Sequence, residues 1–224
     1  MMILRAPGVY RPQADTWMLA EALRAVPHLR NGRVLELCAG TGVVTLAAAK
    51  AGAASVTAVD LSRRALISTW LNCRLRGVAV QLLHGDFSAA ARLPRFDVVL
   101  ANPPYVPAER EVGRGRALAW DAGPTGRSVL DRLCTTLPDL LTDNGVGLIV
   151  HSAISDPDRS LDQLRAGGAE AQVVAVDKVP FGPVLRSRAR RLAARGLIAK
   201  DQRDEELVVI RVERNYCPAV GEPA

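Results

Sequence analysis

The chain has 224 residues, 49% of them apolar and 23% charged, with a net charge of +6. That is the balance of one folded domain with a substantial core, not of a disordered segment. The longest apolar runs, such as Val146–Val150, are far shorter than the ~20 residues a bilayer span needs.

The start of the chain has no charged lead followed by an apolar stretch, so no signal peptide is expected. Asp15–Val26 reads as a helix, with Leu19, Leu23 and Val26 on one face and Asp15 as its cap. Val34–Leu37 is a short buried-type strand that runs into Gly40-Thr41-Gly42 and then a small-residue helix over Val43–Ala51. A second strand, Ser55–Val59, ends at Asp60. Glycines let a backbone approach a ligand closely, and an acid after the second strand can accept from ribose hydroxyls. Dinucleotide sites use Gly-x-G-x-x-Gly, whereas this loop offers only Gly-x-Gly behind Glu36. An acid there suits a cationic cofactor bearing an amino acid and a sulfonium better than a pyrophosphate.

Ser62–Arg76 reads as a helix capped by Ser62 and stopped by Gly77. A third strand, Val78–Leu83, leads to Asp86-Phe87, a carboxylate and a ring that could meet an exocyclic amine and a flat base. The fourth strand, Phe96–Ala101, runs directly into Asn102-Pro103-Pro104-Tyr105. Two prolines stiffen the backbone and remove two N–H donors. The loop then presents carbonyl oxygens beside the Asn102 side-chain oxygen, a set that accepts both hydrogens of a planar NH2 group, with Tyr105 able to stack on the flat substrate.

Val106–Arg127 has little periodicity and reads as a lid, a binding loop or disorder. Ser128–Leu141 is amphipathic, and Pro138 is a candidate kink. Val146–Val150 is a fifth strand and Asp158–Ala166 a helix; Gln172–Val176 and Leu207–Val212 are strand-like. Alternation of strands and helices predicts a parallel sheet covered on both faces, with the last two strands as an antiparallel edge pair. Residues 178–200 hold seven basic groups and no acid. They read first as a solvated surface and second as a docking surface for RNA or an RNA-bound protein.

Cys38, Cys73, Cys134 and Cys217 form no metal-type pair, so free thiols, no metal and a cytoplasmic setting are expected.

Glu36-Leu-Cys-Ala-Gly-Thr-Gly42, Asp60, Gly85-Asp86 and Asn102-Pro-Pro-Tyr105 resemble the class I S-adenosylmethionine-dependent methyltransferases. More narrowly, they resemble the HemK-type protein glutamine-N5 methyltransferases. Tyr10-Arg-Pro-Gln-Ala-Asp-Thr16 looks like the family segment that closes over the cofactor, and Trp120–Leu133, with Gly123-Pro124-Thr125-Gly126, like its post-loop signature. The resemblance implies an α/β fold: a single-domain seven-stranded Rossmann-like sheet with an antiparallel last strand. Residues 1–30 would form the closing segment, 31–214 the methyltransferase domain and 215–224 a tail. It implies S-adenosylmethionine as cofactor, bordered by Gly40 and Gly42, with Asp60 on its ribose and Asp86 and Phe87 at its adenine. Tyr10, Thr16, Glu36 and Asn102 complete that set, and Asn102, Pro103 and Tyr105 also serve the acceptor. The family modifies the glutamine of a Gly-Gly-Gln tip on translation release factors.

Only about thirty residues precede the first strand, which makes the chain similar to the short branch that lacks the N-terminal helical domain. That branch implies a small zinc-binding partner protein. Two positions depart from the pattern: Cys38 replaces the usual first glycine, and Ala14 replaces an acid. Adenine-N6 methylation of RNA or DNA, and a cofactor-binding scaffold without catalysis, stand as the competing readings.

Overall fold

A computed structural model describes residues 2–109 and 115–214; the expected tail at 215–224, with Cys217, lies outside the described residues. Seven strands form one sheet: β1 (Arg33–Leu37), β2 (Ser55–Asp60), β3 (Gln81–His84), β4 (Phe96–Ala101), β5 (Leu141–Ser152), β6 (Ala169–Pro180) and β7 (Asp204–Arg214). Their spatial order is β3-β2-β1-β4-β5-β7-β6. The first five are mutually parallel, and β7 lies antiparallel between β5 and β6. The last of the described strands is therefore inside the sheet, and β6 forms the edge.

Strand periodicity builds the two faces. Along β1, Val34 points into a cluster with Leu19 and Leu23 of α1 (Ala14–Ala22 and the turn after it) and Val44 and Ala48 of α2 (Val43–Lys50). Leu35 and Leu37 point the other way, into a cluster with Leu130, Leu133 and Leu137 of α4 (Ser128–Leu140), Leu164 of α5 (Pro157–Ala166), and Leu185 and Leu192 of α6 (Pro183–Ala194). α3 (Arg63–Arg74) packs beside α2, its first turn capped by Ser62, whose hydroxyl accepts from the Ala65 N–H. Among the described residues no helix is long and apolar enough to cross a membrane.

Three expectations are corrected. Asp15 is not the cap of α1; Gln13 holds that position, and Asp15 sits buried in the first turn. Of the lid, binding loop or disorder expected for residues 106–127, disorder is excluded where they are described, and part of the excursion lines the cavity described below. Val106 donates to Trp120 O at 2.8 Å, Ala108 to Gly123 O at 2.8 Å, and Ala122 back to Val106 O at 3.1 Å, so the excursion folds onto itself. The basic segment contains a helix, α6, that charge density concealed. Three of its seven basic groups reach the excursion: Arg188 pairs with Asp121 at 2.7 Å, Arg191 with Glu109 at 2.8 Å, and Arg195 donates to Pro124 O at 2.7 Å. Lys178 pairs with Asp204, and Arg186 donates to Phe181 O. Five of the seven basic groups, read first as a solvated surface and second as a docking surface for RNA or an RNA-bound protein, are thus engaged within the chain.

Candidate active site

The strand order reverses at β1, which pairs with β2 on one side and β4 on the other. Loops leaving the carboxyl ends of such strands diverge and open a crevice. A cavity of about 330 Å³ lies there, bordered by the ends of β1 to β4 and by residues 8–16 of the strap that precedes β1. All but one of the sequence-expected site residues line it: Tyr10, Thr16, Glu36, Gly40, Asp60, Asp86, Phe87, Asn102, Pro103 and Tyr105 do, and Gly42 does not.

The loop after β1 departs from ordinary backbone at three alternate positions. Cys38, Gly40 and Gly42 all have positive φ, at 59°, 57° and 74°. A Cβ on Gly40 would find nothing nearer than the Cys38 carbonyl at 3.9 Å, whereas one on Gly42 would lie 2.7 Å from Thr69 Cγ2. Gly40 therefore keeps an open approach to the cavity, and Gly42 lets α3 pack against the loop. Asp60 fixes the curve, accepting the Gly40 N–H at 2.9 Å and the Ser62 N–H at 2.8 Å. Burial raises its pKa against those two bonds.

Glu36 is buried beneath the loop and accepts both the N–H (2.7 Å) and the hydroxyl of Thr45. Desolvation outweighs those bonds and pushes its pKa up to about 8. Asp86 instead is held below the usual carboxylate range by the Ser88 hydroxyl and by Arg132, which pairs with it at 2.6 Å and lies over the Phe87 ring.

Asn102 donates through Nδ2 to Thr16 Oγ1 at 3.4 Å, leaving Oδ1 as its acceptor. Pro103 is buried behind it. Tyr105 does not stand out as a platform. Its side chain is packed in the core at 8% exposure, its hydroxyl donates to Asp15 Oδ2 at 3.0 Å, and its carbonyl accepts from Ser155 Oγ at 2.7 Å. The stacking role read from the sequence gives way to an anchoring one. Asp15 also takes the Tyr10 hydroxyl at 2.8 Å, so the strap and the β4 loop share one buried carboxylate. Sequence reasoning missed this hub, and it missed Arg127, which is 3% exposed and donates to Ser155 O, Asp156 O and Ser160 Oγ at the back of the loop.

The donor set tests the expected cofactor. Asp15, Asp60, Asp86 and Asp121 border the cavity, with Glu36 held neutral by burial until a cation arrives, against a single arginine, Arg132, among the described residues. An acidic crevice in a chain of net charge +6 repels a pyrophosphate and suits an adenosyl group carrying a sulfonium and an ammonium. The residues present fit S-adenosylmethionine.

Comparisons with known proteins agree. Residues 1–118 match the family model described as the methyltransferase small domain. A protein of Methanocaldococcus jannaschii that carries the provisional name protein N5-glutamine methyltransferase is 32% identical over 188 residues, covering 83% of this chain and 93% of its own. Methyltransferase HEMK2 of Mus musculus is 33% identical over 177 residues, covering 72% of this chain and 80% of its own. Among solved structures, the Mtq2–Trm112 complex of E. cuniculi, responsible for methylation of the translation termination factor eRF1, superposes with a TM-score of 0.61. That match spans 93% of this chain and 99% of the other at 24% identity, and it shows a shared fold. The chain belongs to the methyltransferase small domain family, and within it to the HemK-type class I S-adenosylmethionine-dependent methyltransferases.

Proposed function

We propose that the chain transfers a methyl group to the side-chain amide nitrogen of a glutamine in a translation release factor. One observation carries the reading: the Asn102-Pro103 acceptors stand at the end of β4 on the same acidic cavity as Glu36, Asp60 and Asp86. The names borne by the archaeal relative and the structural neighbour support the choice of glutamine and of a termination factor. When bound, S-adenosylmethionine supplies a methyl group activated by its sulfonium. Residues 1–30 act as the strap over it, with Tyr10 and Thr16, and residues 31–214 provide Glu36, Gly40, Asp60, Asp86 and Phe87 as its walls, with Gly42 shaping the loop that carries Gly40.

An amide nitrogen is a poor nucleophile because its lone pair is spread over the carbonyl. Asn102 Oδ1 and the Pro103 carbonyl, accepting one N–H each, localise that pair and offset the positive charge that develops on nitrogen. A loop stiffened by two prolines holds those oxygens in place before the substrate arrives, and such positioning contributes up to ~7–11 kcal/mol of barrier reduction. Tyr105 secures the loop from beneath.

A partner subunit is part of the proposal. The structural neighbour is a complex, and this chain exposes Leu61, Ile67, Trp70 and Leu75 on and around α3, beside the edge strand β3. A small zinc-binding protein seated there would cover them. The competing reading, methylation of adenine in nucleic acid, drew on the basic segment, whose arginines largely pair with the β4 excursion.

Asn102→Ala tests the assignment. Turnover on a recombinant release factor, read by mass spectrometry of the glutamine, is expected to fall at least 100-fold, on the order of a lost oxyanion-type contact. Cofactor affinity by calorimetry is expected to change less than threefold. Affinity falling as far as turnover would assign Asn102 to cofactor binding instead.

A further inference from the structure

Asp15 is 2% exposed and accepts four hydrogen bonds. Its Oδ2 takes the hydroxyls of Tyr10 (2.8 Å) and Tyr105 (3.0 Å). Both tyrosines have pKa values raised by burial and by the Asp15 charge, so each keeps its proton and donates. Its Oδ1 takes the N–H of Thr16 at 2.6 Å and the Thr16 hydroxyl at 3.1 Å.

The distances decide the proton count along this chain: the Thr16 hydroxyl lies 3.1 Å from Asp15 Oδ1 and 3.4 Å from the Asn102 amide, so its proton goes to the carboxylate. A carboxylate only accepts, and a threonine hydroxyl has one proton to give. Thr16 spends that proton on Asp15, so its oxygen faces Asn102 with lone pairs alone. The Asn102 amide meets Thr16 Oγ1 at 3.4 Å. The reverse rotamer would bring two acceptor oxygens together with no proton between them. The NH2 end of Asn102 must therefore face Thr16, and the carbonyl end is left for the acceptor group. At 3.4 Å the contact is long and adds little energy, but it discriminates between two rotamers that differ only in which atom is nitrogen.

We propose that Asp15 is a positioning residue which, through Thr16, sets the end of the Asn102 amide presented to the substrate. The inference rests on the reading of Asn102 as an acceptor for the glutamine NH2. Were the amide reversed, a donor would face a donor and the nitrogen would be turned away. The same hub ties Tyr10 of the strap to Tyr105 of the loop, so the strap must be seated for the amide to be set. Asp15 and Tyr105 are 90 positions apart, so the device exists only in the fold.

A double-mutant cycle and a spectroscopic measurement on the full chain test this together. With S-adenosylmethionine and a recombinant release factor, Thr16→Val is expected to lower kcat about tenfold, with a smaller change in cofactor Kd, and Thr16→Ser, which restores the hydroxyl, to recover most of the loss. With S-adenosylmethionine saturating for each variant, so that any cofactor contact of Thr16 is taken out of the comparison, Thr16→Val in an Asn102→Ala background is expected to lower the residual kcat far less than in the parent, because the group it orients is gone. An equal loss in both backgrounds overturns the proposal. The second measurement needs no turnover. In protein labelled with 15N-asparagine, the Asn102 side-chain NH2 pair, assigned by its absence in Asn102→Ala, is expected to show one bonded and one free proton. That difference should collapse in Thr16→Val and in Asp15→Ala, which removes the acceptor that holds the Thr16 proton. An unchanged pair in both variants overturns the proposal. If the release factor is not methylated, or Asn102→Ala turns over like the parent, the functional reading fails, while the NH2 signals still decide the orientation.

Discussion

Cys38, Gly40 and Gly42 share the left-handed backbone region, yet they meet different surroundings, and this separates two substitutions that look alike. Gly40→Ala adds strain of about 1 kcal/mol at φ 57°, into open space. Gly42→Ala adds the same strain and drives a methyl to 2.7 Å from Thr69 Cγ2 and 3.1 Å from its Cα, so α3 must shift. Its total cost is expected to be about 2–3 kcal/mol, read as a lower urea midpoint. Gly40→Ala should instead show mainly as weakened cofactor binding, since its methyl points toward the crevice. Equal midpoints for the two variants would mean that the loop yields rather than the helix. Cys38 shows that this loop tolerates one L side chain in that region. The same contrast explains what sequence could disclose about single residues. Glu36, Asp60 and Asn102 were legible because each sits at a strand end, where position along the chain dictates position in the crevice. Asp15 was not, because a carboxylate at the start of a helix has an ordinary local use as a cap, and its actual partner, Tyr105, is reached only through the tertiary fold.

The elements with strong periodicity formed as expected: β1, β2 and β4 through buried aliphatic runs, α3 through its Ser62 cap, α4 through its apolar stripe. α6 escaped notice because only Leu185 and Leu192 are buried on it, and the charges between them masked the period. The β4 excursion escaped because it is held from outside. Gly126 at φ 75° passes so close that a Cβ would lie 2.3 Å from Tyr105 O and 2.5 Å from Ser155 Oγ. Arg127 then ties the start of α4 to the turn before α5, donating to Ser155 O (2.6 Å), Asp156 O (2.8 Å), Ser160 Oγ (2.7 Å) and Gln163 Oε1 (3.0 Å). Removing it strands several buried acceptors at ~1–3 kcal/mol each, partly relieved by water. Arg127→Met, close in length and apolar, is expected to cost about 3–4 kcal/mol. It should also lower turnover beyond the loss of folded protein, because Ser155 holds the Tyr105 carbonyl of the acceptor loop. Denaturation curves and rates measured on the same preparations separate the two effects; unchanged stability would show that the network is not a clamp.

Across the molecule, burial pushes titratable groups toward their neutral forms. Glu36 is pushed up to about 8 and Glu205, whose Oε2 finds no hydrogen-bond partner among the described residues, up to about 7, both mainly by desolvation. In the unfolded chain both glutamates have released their protons above their ordinary value of 4.5. The folded state therefore binds more protons over that interval, and stability falls as pH rises. This contribution is complete below 4.5 and lost as pH climbs through 7 and 8. Buried His151 acts oppositely. Its pKa is lowered from 6.5 to about 4 by desolvation, so its contribution is present above 6.5 and lost as pH falls. Between 4.5 and 6.5 the two effects oppose each other; from 6.5 to 8 the carboxylates act without that opposition. The urea midpoint of the cofactor-free protein is accordingly expected to decline from pH 6.5 to 8.5, with Glu36 alone contributing roughly 2 kcal/mol. Glu36→Gln keeps a carbonyl for Thr45 while removing the titration, and should flatten most of that slope; Glu205→Gln should flatten a smaller part at lower pH. A parent profile that is level or rising over this range would show that Glu36 is already ionised in the empty crevice. The acid would then be solvated by water entering the cavity, rather than held neutral until a cation arrives.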